Sequence, residues 1–486
     1  MENPCSTDQT GGHFEPLSME DAQFLIWEEP NTPMHIGALM LLDRGKLGTP
    51  GGGVDIEKFR QGVEGVLHQV PRFRQRLRWI PVAGHPVWVD DPHVDIRYHV
   101  RHTSLPQPGT MEQLKAMVGR VMSQRLDRSK PLWEYWVIEG LDDDRFAVFS
   151  KVHHCMMDGG AGSDLAHVIM GIDDSWSPPE VQPWQPRPEP SNLELMRNAL
   201  SRRARQPLDI AGDLWNFVRR TDDLSGELVR RGKAIGELVS AQMGNEPSPL
   251  YGELSPHRLA DWAVMPLEEM KAVRRVAGGS LNDVALAMVT GAFRRFFIDR
   301  GLDPARAPVT SSVPVNIRAS DDPELGNHVS TWLVDLPIEE PDARRRLEKV
   351  METTARMKAT DQALAARLMM RMIEFGPTSM LSLALRAQDG VADTFVTNIP
   401  GPQFPLFLFG AEMKAMMPQV PLLPGMALGI GVMSYDGKVC WGLTADSKLV
   451  PDVSDFRLAL VAAYEELCAA WAVPLDRDAL ASRTWR

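Results

Sequence analysis

Apolar positions along this chain switch repeatedly between the two periods of regular structure. Arg145 to Val152 (RFAVFSKV) alternates and is rich in Val and Phe, the pattern of a half-buried strand. Shorter strands are predicted at Ile36–Leu42 and Trp133–Glu139. From Gly160 to Met170 the period lengthens, with Leu165, Val168 and Ile169 at helical spacing. Between about Asn192 and Met243, Ile210, Leu214, Phe217, Leu224, Leu228, Ile235 and Leu238 recur at three-, four- and seven-residue steps, again helical. A further helix is predicted over Val284–Phe297, with Asn282 as its possible N-cap. Two stretches break the pattern. Ser177 to Pro190 (SPPEVQPWQPRPEP) holds too many prolines for helix or central strand, and Asn245–Pro256 is a second proline-bearing break. These breaks divide the chain into residues 1–185, a helical connector over 186–250, and residues 251–486 of alternating helix and strand. The fold class is mixed α/β.

Composition narrows the picture modestly. A chain of 486 residues has room for two or three cores, and 44% hydrophobic with 24% charged residues is ordinary for a globular protein. Its 64 acidic against 52 basic residues give a net charge of −12, which argues against nonspecific nucleic-acid binding. Cys5, Cys155, Cys440 and Cys468 lie far apart, without disulfide or zinc spacing, so a reducing compartment and no metal are expected. The first fifteen residues are polar and no run of eighteen apolar residues occurs, so neither a signal peptide nor a membrane span is expected. Within the helical connector, Arg202, Arg203, Arg205, Arg219, Arg220, Arg230 and Arg231 suggest contact with anionic lipid. Asp209, Asp213, Asp222, Asp223 and Glu227 dilute that charge and favour an ordinary interdomain helix.

The chemistry concentrates at His153-His154-Cys155-Met156-Met157-Asp158-Gly159, where the RFAVFSKV strand ends and a turn begins. Imidazole can accept and donate a proton near neutrality. Successive strand residues face opposite ways, so His154 shares a face with Val148 and Val152, and His153 with Phe149 and Lys151. One ring can therefore act on a substrate while the other supports the loop from behind. Asp158 either orients His154 or fixes the Asp158-Gly159 turn through a buried ion pair. The same letters also spell the His-x4-Asp pattern of membrane glycerolipid acyltransferases, and a strand-end histidine pair satisfied by backbone is the plainest alternative. No Gly-x-Ser-x-Gly elbow is present, since Gly278-Gly279-Ser280-Leu281-Asn282 fails at its last position. Cys155 diverges from His154 along the strand. Direct transfer with a histidine base is therefore favoured over an acyl-enzyme.

Taken together, several segments make the chain resemble the bacterial wax ester synthase/acyl-CoA:diacylglycerol acyltransferase family. They are Pro16-Leu17-Ser18, Phe24, Pro33-Met34-His35-Ile36-Gly37, Pro131-Leu132-Trp133 and the His-His-x3-Asp-Gly run. They continue through Leu254-Ser255-Pro256-His257-Arg258, Asn282-Asp283, Val313-Pro314-Val315-Asn316-Ile317-Arg318, Gly326-Asn327 and Thr397-Asn398-Ile399-Pro400-Gly401-Pro402. The resemblance implies two chloramphenicol acetyltransferase-like domains, mixed sheets flanked by helices, with the active site at their interface. It implies transfer of a long-chain acyl group from acyl-CoA to a fatty alcohol or a diacylglycerol, without cofactor. It marks His154 as the base, Asp158 as structural with Arg318 as the candidate ion-pair partner, and Asn282 and Asp283 as contributions of the second domain. Thr397 and Asn398 are candidates for oxyanion or acceptor contacts, or only a rigid turn. Pro131, Leu132 and Trp133 shape the acyl pocket or the core beneath it. A cytoplasmic protein, peripheral to the inner membrane or to lipid droplets, is the expected setting. Condensation-type transfer to an amine or carrier-bound acceptor, and an inactive lipid-binding module, remain open alternatives at this point.

Overall fold

The structure, a computed structural model, describes residues 12–141, 145–156, 168–201, 248–316, 329–359 and 392–475. In chain order its strands are β1 (Glu15–Pro16), β2 (His35–Asp43), β3 (Gln75–Trp79), β4 (Pro86–Asp90), β5 (Val100–Ser104), β6 (Trp133–Glu139), β7 (Arg145–His153) and β8 (Met170–Gly171). They continue with β9 (Arg258–Pro266), β10 (Val309–Asn316), β11 (Val329–Leu336), β12 (Thr394–Pro400), β13 (Phe407–Leu408), β14 (Ala411–Gln419), β15 (Leu428–Tyr435) and β16 (Lys438–Asp446). The α-helices are α1 (Met19–Trp27), α2 (Ile56–Val66), α3 (Ile96–His99), α4 (Met111–Ser123), α5 (Leu267–Ala277), α6 (Leu281–Asp299), α7 (Ala343–Ala359) and α8 (Val453–Ala470).

Two mixed sheets dominate. The first runs β5-β6-β7-β2-β14-β13-β8, the second β11-β10-β12-β15-β16-β9, and β1-β4-β3 forms a small third. Most pairs are antiparallel, while β5–β6, β10–β12 and β12–β15 are parallel. The strands predicted from the alternating pattern are all present, extended to His35–Asp43 and Arg145–His153 and unchanged at Trp133–Glu139. The division by sheets does not follow the division at residue 251, because β13 and β14 leave the second half and join the first sheet. Met416 of β14 pairs with Met40 of β2, and Gln419 with Gly37. Proline-rich breaks reveal where the chain leaves an element, but they carry no information about which sheet a later strand completes.

Two local readings change, and a third gains a partner. Helical spacing before Met170 does not extend through it, since Met170 opens β8 and pairs with Leu408. The N-cap of α6 is Ser280, whose hydroxyl accepts from Asp283 N–H while Asp283 reciprocates, so Asn282 sits inside the first turn. This helix is apolar nearly all round, and such a pattern hides where the first turn begins. Finally, 177–190 is irregular, as its prolines require, yet it is firmly docked. The Trp184 indole N–H donates to Asp91 O at 2.8 Å, and Arg187 grips the Asp90 carboxylate. The basic connector beyond residue 201 lies outside the described residues, as does the segment 157–167.

Each half has its own core. The second packs Phe293, Phe296, Phe297, Trp441 and Phe456 between its sheet and helices α5–α8. The first gathers Phe59, Phe73, Trp133 and Phe146. A further apolar cluster spans both halves, with Leu39, Val118, Met122, Phe149 and Met417 against Trp262 and Val264 of β9. Here α4 comes so close to β9 that a Cβ on Gly119 would lie 2.6 Å from the Arg258 carbonyl oxygen, which only glycine avoids. Among the described residues no single helix is long and apolar enough to cross a membrane.

Candidate active site

β7 lies between β6 and β2, and this placement delivers the motif. In the β2–β7 register His153 faces His35, and the His153 N–H donates to Leu132 O at 2.9 Å. The strand then stops. His154–Met156 form one 3-10 turn, fastened by the His154 N–H to Met34 O at 2.9 Å and by the Cys155 N–H to His153 Nδ1 at 3.2 Å.

The two imidazoles meet different environments, although His154 has already left β7 for the 3-10 turn and strand alternation does not place it. His153 is fully buried. On the same face, Lys151 donates its buried ammonium to Val121 O at 2.9 Å and to Gln124 O, closing the carbonyl end of α4. His154 is only half-buried, and one face of its ring stacks on Phe24 of α1 with centroids 3.7 Å apart and planes 18° from parallel. Its Nδ1 has no hydrogen-bond partner among the described residues. Burial first, and then the neighbouring His153, push the His154 pKa down to about 4. The ring is therefore neutral at physiological pH, the protonation state a base requires, and its Nδ1 is buried. Cys155, by contrast, is buried and its thiol is pushed well above its usual range by that burial, a poor nucleophile.

Behind this pair lies a group that sequence reasoning missed. Glu28, the residue that caps α1, is buried with its carboxylate between the two rear imidazoles. Its Oε1 is 3.4 Å from His35 Nε2 and 3.6 Å from His153 Nε2, the latter beyond hydrogen-bonding distance, so His153 Nε2 is buried without a hydrogen-bond partner among the described residues. Its Oε2 accepts from Arg128 Nε at 2.8 Å. Burial works to raise the Glu28 pKa, but the contacts with His153 and His35 outweigh it and hold the carboxyl far below the usual range. Burial also lowers the His153 pKa and pushes that of His35 down to about 3. The signal in the chain was slight: Phe24 and Glu28 are four residues apart, on one face of a short helix.

The remaining predicted residues lie on other elements. Leu132 and Trp133 belong to the core, with the Trp133 indole N–H donating to Phe73 O at 2.9 Å and its ring stacked on His99. Pro131 is likewise buried. Asp283 spends its carboxylate on α6 and α7, accepting from Ser280 and from Thr354 Oγ1 at 2.7 Å, while Asn282 is half-buried beside it. Thr397 and Asn398 are half-buried within β12, a strand that continues through Pro400 and not a turn. Asp158, Gly159 and Arg318 lie outside the described residues. No group of three or more His, Cys, Asp or Glu side chains suited to a metal occurs among the described residues.

Comparison with known proteins decides the family. Residues 17–285 match the wax ester synthase/diacylglycerol acyltransferase catalytic domain, and residues 325–468 match the C-terminal domain of the same family. The chain belongs to this family. It is 32% identical over 459 residues to a putative diacylglycerol O-acyltransferase of Mycobacterium tuberculosis, covering 90% of this chain and 87% of that one. A probable diacylglycerol O-acyltransferase of the same species is 31% identical over 461 residues, covering 93% and 96%. In fold it resembles the wax ester synthase/diacylglycerol acyltransferase of Marinobacter aquaeolei VT8, with TM-score 0.65, 24% identity and 94% and 100% coverage. It also resembles the first condensation domain of the calcium-dependent antibiotic synthetase, with TM-score 0.59, 14% identity and 95% and 98% coverage. As a member of the wax ester synthase/diacylglycerol acyltransferase family, the protein is an acyl-CoA-dependent acyltransferase with a chloramphenicol acetyltransferase-like fold.

Proposed function

We propose that the protein moves a long-chain acyl group from acyl-CoA directly to the hydroxyl of a fatty alcohol or a diacylglycerol, with His154 as general base. The neutral ring takes the hydroxyl proton as the oxygen attacks the thioester carbonyl. A tetrahedral oxyanion forms, the C–S bond breaks, and the imidazolium returns the proton to the departing CoA sulfur. Atoms and charge balance without a redox step, so the reaction calls for no cofactor. The observation that carries this reading is the half-buried, neutral imidazole at the end of β7. An imidazolium with so low a pKa surrenders its proton readily to a thiolate. Such a base contributes on the order of 10²- to 10⁴-fold. Asn282, Thr397 and Asn398 are the candidates from the second half for oxyanion or acceptor contacts, and Asp158 with Arg318 for fixing the motif turn. Both substrates partition into lipid, so the working site is the surface of the inner membrane or of a lipid droplet, reached from the cytoplasm.

The test is thiol release from palmitoyl-CoA with hexadecanol, with diolein, with an amine and with no acceptor. Release that requires hexadecanol or diolein supports the reading. Release with the amine alone would replace it by condensation-type transfer, and no release under any condition by a binding module. His154→Ala is expected to abolish release while leaving the thermal unfolding temperature near that of the wild type. Equal activity of the two proteins would end the assignment of the base.

A further inference from the structure

The structure assigns Glu28 as a positioning residue that fixes the tautomer of His153 and, through it, the turn that carries His154. This rests on His154 being the base. The geometry runs as a chain of contacts. The Cys155 N–H donates to His153 Nδ1 at 3.2 Å, and a ring nitrogen that accepts cannot carry the proton. The proton of neutral His153 is therefore on Nε2, and Glu28 Oε1 lies 3.6 Å from that atom, an electrostatic contact longer than a hydrogen bond. A carboxylate only accepts, so it favours this tautomer and no other. The Nδ1–H tautomer would set two N–H groups, those of Cys155 and of the ring, against each other in a buried turn.

Glu28 is itself held in place. Arg128 donates from Nε to Oε2 at 2.8 Å and from its terminal nitrogen to Leu25 O at 3.0 Å, so the guanidinium clamps the carbonyl end of α1. The groups facing the carboxylate are thus His35 from β2, His153 from β7, Arg128 from the segment after α4, and the Met34 N–H. His35 Nε2 also lies 3.2 Å from the Leu126 N–H, and in a given tautomer it serves only one of these two neighbours. His153 is therefore the histidine whose Nε2–H tautomer Glu28 supports, together with the Cys155 N–H on Nδ1. The same helix presents Phe24 to the front ring and Glu28 to the rear one. A single rigid element sets the face of one imidazole and the proton of the other.

Glu28→Gln tests this without changing shape. Arg128 offers only donors, so the amide oxygen turns toward it and the NH2 turns toward His153. The acceptor facing Nε2 becomes a donor, and the tautomer is forced the wrong way. We expect kcat for palmitoyl-CoA and hexadecanol to fall about 10- to 100-fold with the KM for palmitoyl-CoA within about twofold, as for a slightly misplaced base. With ¹⁵N-labelled histidine, two-bond correlation spectra are expected to show His153 as the Nε2–H tautomer in the wild type and changed in Glu28→Gln. Glu28→Asp, which keeps the acceptor, is expected to recover part of kcat and the wild-type tautomer. In a His153→Asn background, whose Oδ1 still accepts from the Cys155 N–H, Glu28→Gln is expected to have no further effect on kcat. An unchanged His153 tautomer, an unchanged kcat, or additive losses in the double variant would overturn the assignment. The spectra report on His153 whatever His154 does. Activity surviving His154→Ala would therefore defeat the general base alone, and an unmoved tautomer would defeat the relay alone.

Discussion

At the scale of single residues, catalysis turns on the environment of one ring. Stacking on Phe24 removes water from a face of His154 and so disfavours its charged form. Transfer needs the neutral ring, so the acid limb of kcat/KM is expected near pH 4, followed by a plateau toward neutrality. Phe24→Ala lets water reach that face and raises the pKa toward the ordinary histidine value near 6.5. The acid limb should then move to higher pH, and a pH–rate profile that does not move would remove Phe24 from the account. Alternation along a strand marked His153 and His154 as a pair of unlike members in the sequence, whereas in the fold His154 is set by the 3-10 turn that follows β7. Glu28 and Arg128 were not legible, because a buried carboxylate looks like any surface carboxylate until the fold closes over it.

Among the elements, Trp133 illustrates how a short apolar motif is read. Pro131-Leu132-Trp133 fits a pocket wall and a core equally well on sequence. The hydrogen bond from its indole to Phe73 and the stack on His99 place Trp133 inside the first core. Trp133→Ala is therefore expected to lower stability by about 3–5 kcal/mol, read by denaturant unfolding, while the preference among acyl-CoA chain lengths stays unchanged. A changed preference with intact stability would return this tryptophan to the acyl pocket. Strand β14 teaches the complementary lesson. Its alternation, with Ala411, Met413, Ala415 and Met417 turned inward, predicts a strand, but nothing in that pattern names β2 as its neighbour.

For the whole molecule, the joint between the halves is polar as well as apolar. Arg258 of β9 is buried against Asp446 at 3.0 Å and also donates to Asn31 O in the first half. Its backbone N–H donates to Ser123 Oγ at 2.8 Å, and Asn31 donates to Leu254 O at 3.1 Å. Removing one partner of a buried ion pair leaves the other uncompensated. Arg258→Ala is expected to cost about 3–5 kcal/mol and to lower the midpoint of thermal unfolding. Acid should weaken the molecule too. His35, His153 and His154 all have folded pKa values below the unfolded value, so the unfolded chain binds more protons as pH falls below about 6.5. Stability present at neutral pH is lost progressively down toward pH 4 and 3, where His154 and His35 protonate in the fold. The unfolding temperature should therefore drop between pH 7 and pH 5, and less steeply in His35→Gln.

What the chain determines by itself is local: the alternation that makes β2, β6 and β7, and the prolines that forbid regular structure over 177–190. Each depends on neighbours within a few residues, and so it is written in their order. The crossing of β14 into the first sheet, the core position of Trp133 and the carboxylate behind His153 depend on residues more than a hundred positions apart or on burial by other elements. Those were decided only when the two sheets packed, because dielectric, desolvation and hydrogen-bond partners are properties of the space around a side chain and not of its place in the sequence.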